Sequence, residues 1–315
     1  MWFRLLTVAC ALFLLTAQSF ADIKKKVAAI APSGSVLVVD SEGNELVAQN
    51  VDKSFSPASV AKIVTAWLAM EVLGGDYRFE TSLFIDDDRV LYVRGGGDPF
   101  LVSEELAILA ENLVEAAGKE PFKKLVVDTS HFPETLRVPG IKEDSESYNA
   151  PNSALAANFN TIYARRSGKK VTSAEKQTPI TPLAVEQFRS RGPSGRGRIS
   201  LPQDDLSVGA RYAGELIAEF IAKAGGSVEG DVSIGSVPGD LEPVYVHRQS
   251  RDLAELVKLM LIGSNNYIAN QIFLQIGAHR LGGPVSLEKS LQIAGGLFIE
   301  HDLVKDIKLE EGSGI

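Results

Sequence analysis

Ser59 and Lys62 stand three apart in the run Ser59-Val60-Ala61-Lys62. On a helix that spacing puts both side chains on one face, so a hydroxyl and an amine can enter one cleft. A serine hydroxyl is a weak nucleophile and needs a base to take its proton. A lysine becomes that base when burial or neighbouring charge leaves its amine neutral. Far downstream, Ser264-Asn265-Asn266 offers three short polar side chains at a break between two apolar stretches. Each element alone is common on protein surfaces. Together they point to nucleophilic catalysis by a serine.

The surrounding pattern supplies elements to hold these residues. Ser56-Pro57 has the chemistry of a helix start, with serine as N-cap and proline in the first turn. Val60, Ile63, Val64, Trp67 and Leu68 then recur at helical spacing until Gly74-Gly75. Ser59 falls in the first turn, where free backbone N–H groups and the helix dipole favour a developing negative charge. Upstream, residues 35–40 and 45–49 read as a β-hairpin around Ser41-Glu42-Gly43-Asn44. Beyond residue 241 the chain turns helical. One helix is capped by Ser250 or Asp252 and runs to Ile262, and a second runs from Asn266 to Ala278. Between about Phe79 and Leu241 short strands (90–93 and 124–127) alternate with helices (106–117 and 208–224). Arg189 to Arg198, rich in Arg, Gly, Pro and Ser, reads as a mobile solvated loop with charge enough to meet an anionic polymer.

Composition narrows the class. The 315 residues are 45% hydrophobic and 23% charged, as in an ordinary globular protein. A formal net charge of −8 argues against nonspecific binding to nucleic acid. Arg4, an apolar run to Leu15 and Ser19-Phe20-Ala21 have the form of an export signal cleaved before Asp22. The run is short of the roughly 20 residues that span a bilayer. The single cysteine, Cys10, leaves with that signal, so the mature chain has no disulfide and no thiol nucleophile. His131, His247, His279 and His301 are scattered without metal-ligand spacing, and Asp86-Asp87-Asp88 reads as a turn between strands. No cofactor and no metal are expected.

A set of phrases then carries a specific resemblance. In order they are Ser56-Pro57-Ala58-Ser59-Val60-Ala61-Lys62, Gly74-Gly75-Asp76-Tyr77-Arg78-Phe79 and Gly97-Asp98-Pro99-Phe100-Leu101. They continue with Tyr148-Asn149-Ala150-Pro151-Asn152-Ser153-Ala154-Leu155, Asn158-Phe159-Asn160, Ser264-Asn265-Asn266-Tyr267-Ile268-Ala269-Asn270 and Gly312-Ser313-Gly314. The chain resembles the D-alanyl-D-alanine carboxypeptidase and endopeptidase family typified by penicillin-binding protein 4. Ser-x-x-Lys and Ser-x-Asn are two of that group's three motifs.

The resemblance implies an α/β (α+β) fold with a penicillin-binding, β-lactamase-like catalytic domain. That domain would be built from residues 22–78 and 242–315 around an inserted α/β region, 79–241. It implies that Ser59 is acylated, that Lys62 takes its proton, that Ser264 relays a proton to the leaving group, and that Asn266 binds the acyl-side amide. Peptidoglycan stem peptides would be the substrates, β-lactam antibiotics the inhibitors, and the periplasm the location. Two features depart from the pattern. Asn265 stands where the family often has Asp, and no Lys-Thr-Gly follows Gly312-Ser313-Gly314. In the family that third motif lies on a strand supplying an oxyanion-hole donor, and losing one such donor costs roughly a hundredfold to a thousandfold in rate. Residues 22–315 are therefore expected to have an incomplete central sheet, low solubility and weak acylation. An inactive relative or a non-catalytic peptidoglycan-binding protein is the alternative. A β-lactamase fits less well, because the first two motifs lie too far apart.

Overall fold

The computed structural model describes residues 22–303 and 307–315, and the expected export signal lies outside them. The chain divides into two compact units at Ser56/Pro57. In the first unit β1 (Val36–Val39) pairs antiparallel with β2 (Glu45–Gln49) in a two-stranded sheet. The hairpin closes through Asp40, whose Oδ1 accepts from the backbone N–H of Asn44 at 2.8 Å and of Glu42 at 2.9 Å. Leu37, Val38 and Val39 are exposed.

The second unit begins with a correction. The helix expected to open at Ser56-Pro57 starts later, as a 3₁₀ turn (Ala58–Val60) that leads into α1 (Ala61–Val72). Ala58 has φ 45°, in the left-handed region, so α-geometry cannot run through it from Pro57. No side chain caps either element. Ser59 therefore rides on the tight turn ahead of the α-helix.

β3 (Glu80–Ile85) and β4 (Val90–Gly95) are antiparallel, joined by the Asp86-Asp87-Asp88 turn. Asp86 accepts from Val90 N at 2.8 Å and from the Tyr92 hydroxyl at 3.1 Å, which accounts for an acid there as a turn residue. α2 (Ser103–Ala117) leads to β5 (Lys124–Asp128), parallel to β4. A separate three-stranded sheet has the order β7-β6-β8, from β6 (Thr161–Ser167), β7 (Lys170–Ser173) and β8 (Gly195–Ser200), with α3 (Pro182–Arg191) between β7 and β8. α4 (Leu206–Lys223), β9 (Val232–Ile234) and β10 (Tyr245–Arg248) follow. They complete a mixed sheet of order β10-β3-β4-β5-β9. α5 (Leu253–Gly263), α6 (Asn266–Leu281) and α7 (Leu287–Glu300) end the chain's regular structure.

The Arg189–Arg198 segment is the second correction. It is the end of α3 and the start of β8, ordered by its arginines. Arg189 donates to Lys169 O at 2.8 Å, Arg191 to Ser200 O at 2.7 Å, and Arg198 to Glu175 Oε1 at 2.7 Å. Arg and Gly read as loop formers in a sequence, but a guanidinium aimed at backbone carbonyls is a brace.

Apolar packing forms two main clusters. One fills the space between the mixed sheet and α2 and α4, through residues such as Leu91, Leu109, Val127 and Leu216. The other joins α1, α5, α6 and α7 through Leu68, Met260, Ile272, Phe273 and Phe298. α6 is the centre of that second cluster. Every residue from Tyr267 to Ala278 is buried, so the helix is enclosed on all sides. Among the described residues no helix is long and apolar enough to cross a membrane.

Candidate active site

α1 and α6 pack against each other and carry the two motifs to one place. Lys62, in the first turn of α1, is 1% exposed, and its Nζ has three oxygen partners. They are Ser59 Oγ at 3.1 Å, Asn266 Oδ1 at 2.7 Å and the Ser313 carbonyl at 2.8 Å. Ser59 itself is exposed. An amine that is buried among fixed partners thus ends on a hydroxyl open to solvent. Burial pushes the Lys62 amine below its ordinary range, and the charge of Glu311 acts in the opposite sense. The arrangement has a chemical reading. A neutral amine has two N–H donors and one lone pair. The Asn266 and Ser313 oxygens are acceptors only, so they take the two hydrogens and leave the lone pair for the Ser59 O–H.

The helix break supplies the second side. Ser264 ends α5 with φ 48° and ψ 41°, in the left-handed conformation. Asn265 is the N-cap of α6, its Oδ1 accepting from Ile268 N at 3.0 Å. Asp and Asn cap equally well, so an Asn at 265 serves this role as an Asp would. Asn266 divides its amide, giving its oxygen to Lys62 and an N–H to the Tyr148 carbonyl at 3.3 Å.

Ser264 and Asn266 line a cavity of about 380 Å³ together with Tyr148, Phe159, Arg198 and Tyr267. Phe159 reaches that wall because Asn158, Phe159 and Asn160 all have left-handed φ, of 50°, 61° and 55°. Asparagine tolerates that region and its side chain can tie the turn down. Here Asn158 Oδ1 accepts from Ser103 N at 3.0 Å, and Asn160 Nδ2 donates to Pro151 O at 2.9 Å. A larger cavity of about 470 Å³, between Thr129, Arg137, Ser153 and Asp205, holds none of the paired Ser and Lys chemistry.

The structure therefore joins Ser59, Lys62 and Asn266 by direct hydrogen bonds and puts Ser264 on the cavity that Asn266 lines. Sequence reasoning passed over three contributors. Asn270 lies one turn after Asn266, buried, with Oδ1 accepting from Gly312 N at 2.8 Å and Nδ2 donating to Ser313 Oγ at 3.3 Å. Thr65, one residue short of a turn beyond Lys62, donates to Gly312 O at 2.6 Å. Glu311, 6% exposed, accepts from Ser313 N at 2.7 Å. The signal for the first two is a polar residue repeating at three or four places after a motif residue, inside an apolar helix. For Glu311 the only signal is an acid directly before Gly-Ser-Gly.

Comparison with known proteins places this geometry. The D-Ala-D-Ala carboxypeptidase 3 (S13) family matches residues 17–192 and 204–315. A D-alanyl-D-alanine carboxypeptidase of Actinomadura sp. (strain R39) is 26% identical over 90% of this chain and 61% of its own length. The carboxypeptidase DacB of Haemophilus influenzae is 24% identical, over 86% of this chain and 65% of its own. The chain thus spans less than two thirds of the length of either curated relative. Penicillin-binding protein 4 of H. influenzae shares the fold, with a TM-score of 0.66 and 21% identity over 87% of this chain and 68% of that one. A second structure of it, in complex with a β-lactam, superposes with a TM-score of 0.64 at 21% identity, over 94% of this chain and 73% of that one.

Proposed function

The chain belongs to the D-Ala-D-Ala carboxypeptidase 3 (S13) family, and from that premise we propose that it is a serine-type D-Ala-D-Ala carboxypeptidase or D,D-endopeptidase. Its substrates are peptidoglycan stem peptides and its place is the periplasm. β-Lactams acylate the same serine. The observation that carries this reading is the buried Lys62 amine, hydrogen-bonded to both Ser59 Oγ and Asn266 Oδ1.

The steps follow from the partners. Ser59 Oγ attacks the carbonyl carbon of the penultimate D-Ala, and its proton passes to Lys62 Nζ. The tetrahedral intermediate collapses, the C–N bond breaks, and Ser264 relays a proton to the departing amine, giving up its own hydrogen and taking the one held on Lys62 Nζ. An ester on Ser59 remains, with its acyl-side amide held by the Asn266 side chain. Water then adds to the ester carbonyl, the C–O bond breaks and Ser59 regains its hydrogen. We propose further that residues 22–78 and 242–315 form the catalytic domain around the insert 79–241. For residues 57–315 the two apolar clusters support that division. One draws on residues 66–79 and 253–298, the other on residues 83–221, and among the described residues the first unit, to Ser56, contributes to neither. β10 is hydrogen-bonded to β3, so the return from the insert lies a few residues after 242.

The test is covalent labelling of the intact protein with a fluorescent penicillin. Labelling should give an adduct whose mass maps to the peptide containing Ser59, and Ser59→Ala should give none. A wild-type protein that takes up no label, or a Ser59→Ala variant that still does, overturns the reading.

A further inference from the structure

Glu311 is a buried carboxylate, and a buried charge is costly unless something answers it. Among the described residues its hydrogen bonds come from the turn that follows. Oε2 accepts from Ser313 N at 2.7 Å and from Ser313 Oγ at 2.6 Å. Oε1 accepts from Ile315 N at 3.3 Å and also from Gly314 N. The same turn is pinned from the other side by Asn270 and Thr65, through Gly312. Gly314 has φ +74°, and a Cβ there would run into the Ala58 carbonyl, so the turn lies directly against the segment that carries Ser59. The product of these constraints is one carbonyl, that of Ser313, aimed at Lys62 Nζ at 2.8 Å.

A neutral Asn or Ser caps such a turn as well as a carboxylate does. The charge is the part that capping leaves unexplained. Lys62 is faced by Ser59 from the preceding turn, by the neutral amide of Asn266 from α6, and by the 311–315 segment. Glu311 is the charged group among them, and its charge raises the Lys62 pKa against the lowering effect of burial.

We infer that Glu311 is a positioning residue for Lys62, fixing the Ser313 carbonyl on the amine and setting the pH above which Ser59 is activated. This rests on the reading of Ser59 and Lys62 as nucleophile and base. The sign is definite. Removing a negative charge lets Lys62 lose its proton at lower pH, so the acid limb of the acylation profile moves down. A residue that only held the turn would lower the rate at every pH and leave the limb where it was.

The experiment is the pH dependence of penicillin acylation in the intact protein, for wild type, Glu311→Gln, Glu311→Asp and Thr65→Val, with thermal melts alongside. Glu311→Gln should move the acid limb down by roughly one pH unit or more, the size that a nearby opposite charge produces. Glu311→Asp keeps the charge and should keep the limb. Thr65→Val loosens the same turn without altering charge, and should cost rate or melting temperature with the limb unmoved. An unmoved limb in folded Glu311→Gln overturns the inference, as does an equal shift in Thr65→Val. If Glu311→Gln does not fold, Asn270→Asp adds a carboxylate beside the same turn and must move the limb upward. No upward shift there overturns it too. A wild type that takes up no label sinks the earlier reading instead, and the two failures are told apart.

Discussion

Lys62 and His247 are equally buried, at 1% exposure each, yet they are held in opposite ways. His247 belongs to a closed chain. Its Nε2 meets Glu105 Oε1 at 2.9 Å, and Tyr245 and then Asn112 extend the chain from its Nδ1. Glu105 also accepts from Ser250 N at 2.8 Å and from Ser250 Oγ at 2.7 Å. Burial pushes the Glu105 carboxyl up, but the bonds from His247 and Ser250 outweigh it and hold it below the usual range. Nearby, Gln249 donates to both oxygens of Asp98, at 3.1 and 2.9 Å. Each polar group there is spent on another, and the group ties β10 and the start of α5 to α2. The Lys62 cluster has the same ingredients, a buried basic nitrogen and a buried carboxylate, but one of its bonds ends on an exposed hydroxyl. The lesson is that burial and a shifted pKa do not mark chemistry by themselves. An open valence at the end of the chain does.

The comparison breaks most clearly at Lys62. Lys62→Met should lower penicillin acylation by at least about a thousandfold, the scale on which loss of a base in a serine triad acts. Stopped-flow or gel labelling checks it. Glu105→Ala tests the other side. Leaving His247 and Ser250 without their acceptor should cost about 3–5 kcal/mol of stability in urea unfolding, with the acylation rate of the folded protein unchanged. A loss of rate at constant stability would erase the distinction between the two clusters.

Asp98 sharpens it. Burial pushes its carboxyl up to about 6 from 3.8, against bonds from Phe100 N and Gln249. A carboxyl with a raised folded pKa stabilises fully below its unfolded pKa, and that stability is lost as pH rises through the folded value. Asp98 should therefore withdraw on the order of 3 kcal/mol between about pH 4 and pH 7. Unfolding measured across that range in wild type and Asp98→Asn should show the difference, and parallel curves would refute it. The smallest effect is at Ser264. Its left-handed backbone costs a non-glycine residue about 1 kcal/mol. Ser264→Gly should raise stability by about that much in urea unfolding while slowing penicillin acylation, because the leaving amine loses its proton relay.

The helices that carry Lys62 and Asn266, and the Ser59 and Lys62 pairing, were legible because hydrophobic periodicity and a three-residue spacing are local properties. The hairpin at residues 36–49 and the break at 263–265 were legible for the same reason. What lay beyond reach depended on contacts between distant segments. The 3₁₀ start at Ala58 goes with a left-handed φ at a residue whose carbonyl lies against the backbone of Gly314, near the far end of the chain. The Arg189–Arg198 segment misled because its residue types are those of a loop, and only the partners of the guanidinium groups reveal a brace. Helix α7 went unseen, since Gly295-Gly296 lies inside it and reads as a stop.

The enclosure of α6 has a consequence in time as well as in space. Backbone amides deep in a core open only with the whole domain, while those in exposed turns open locally. Residues 267–278 should be the slowest to exchange hydrogen for deuterium, and the Ala58–Val60 turn, exposed throughout, among the fastest. The hydroxyl that must move during a reaction is thus mounted on the most labile backbone near the site. The amide of Asn266, which must stay still, is mounted at the head of the least labile.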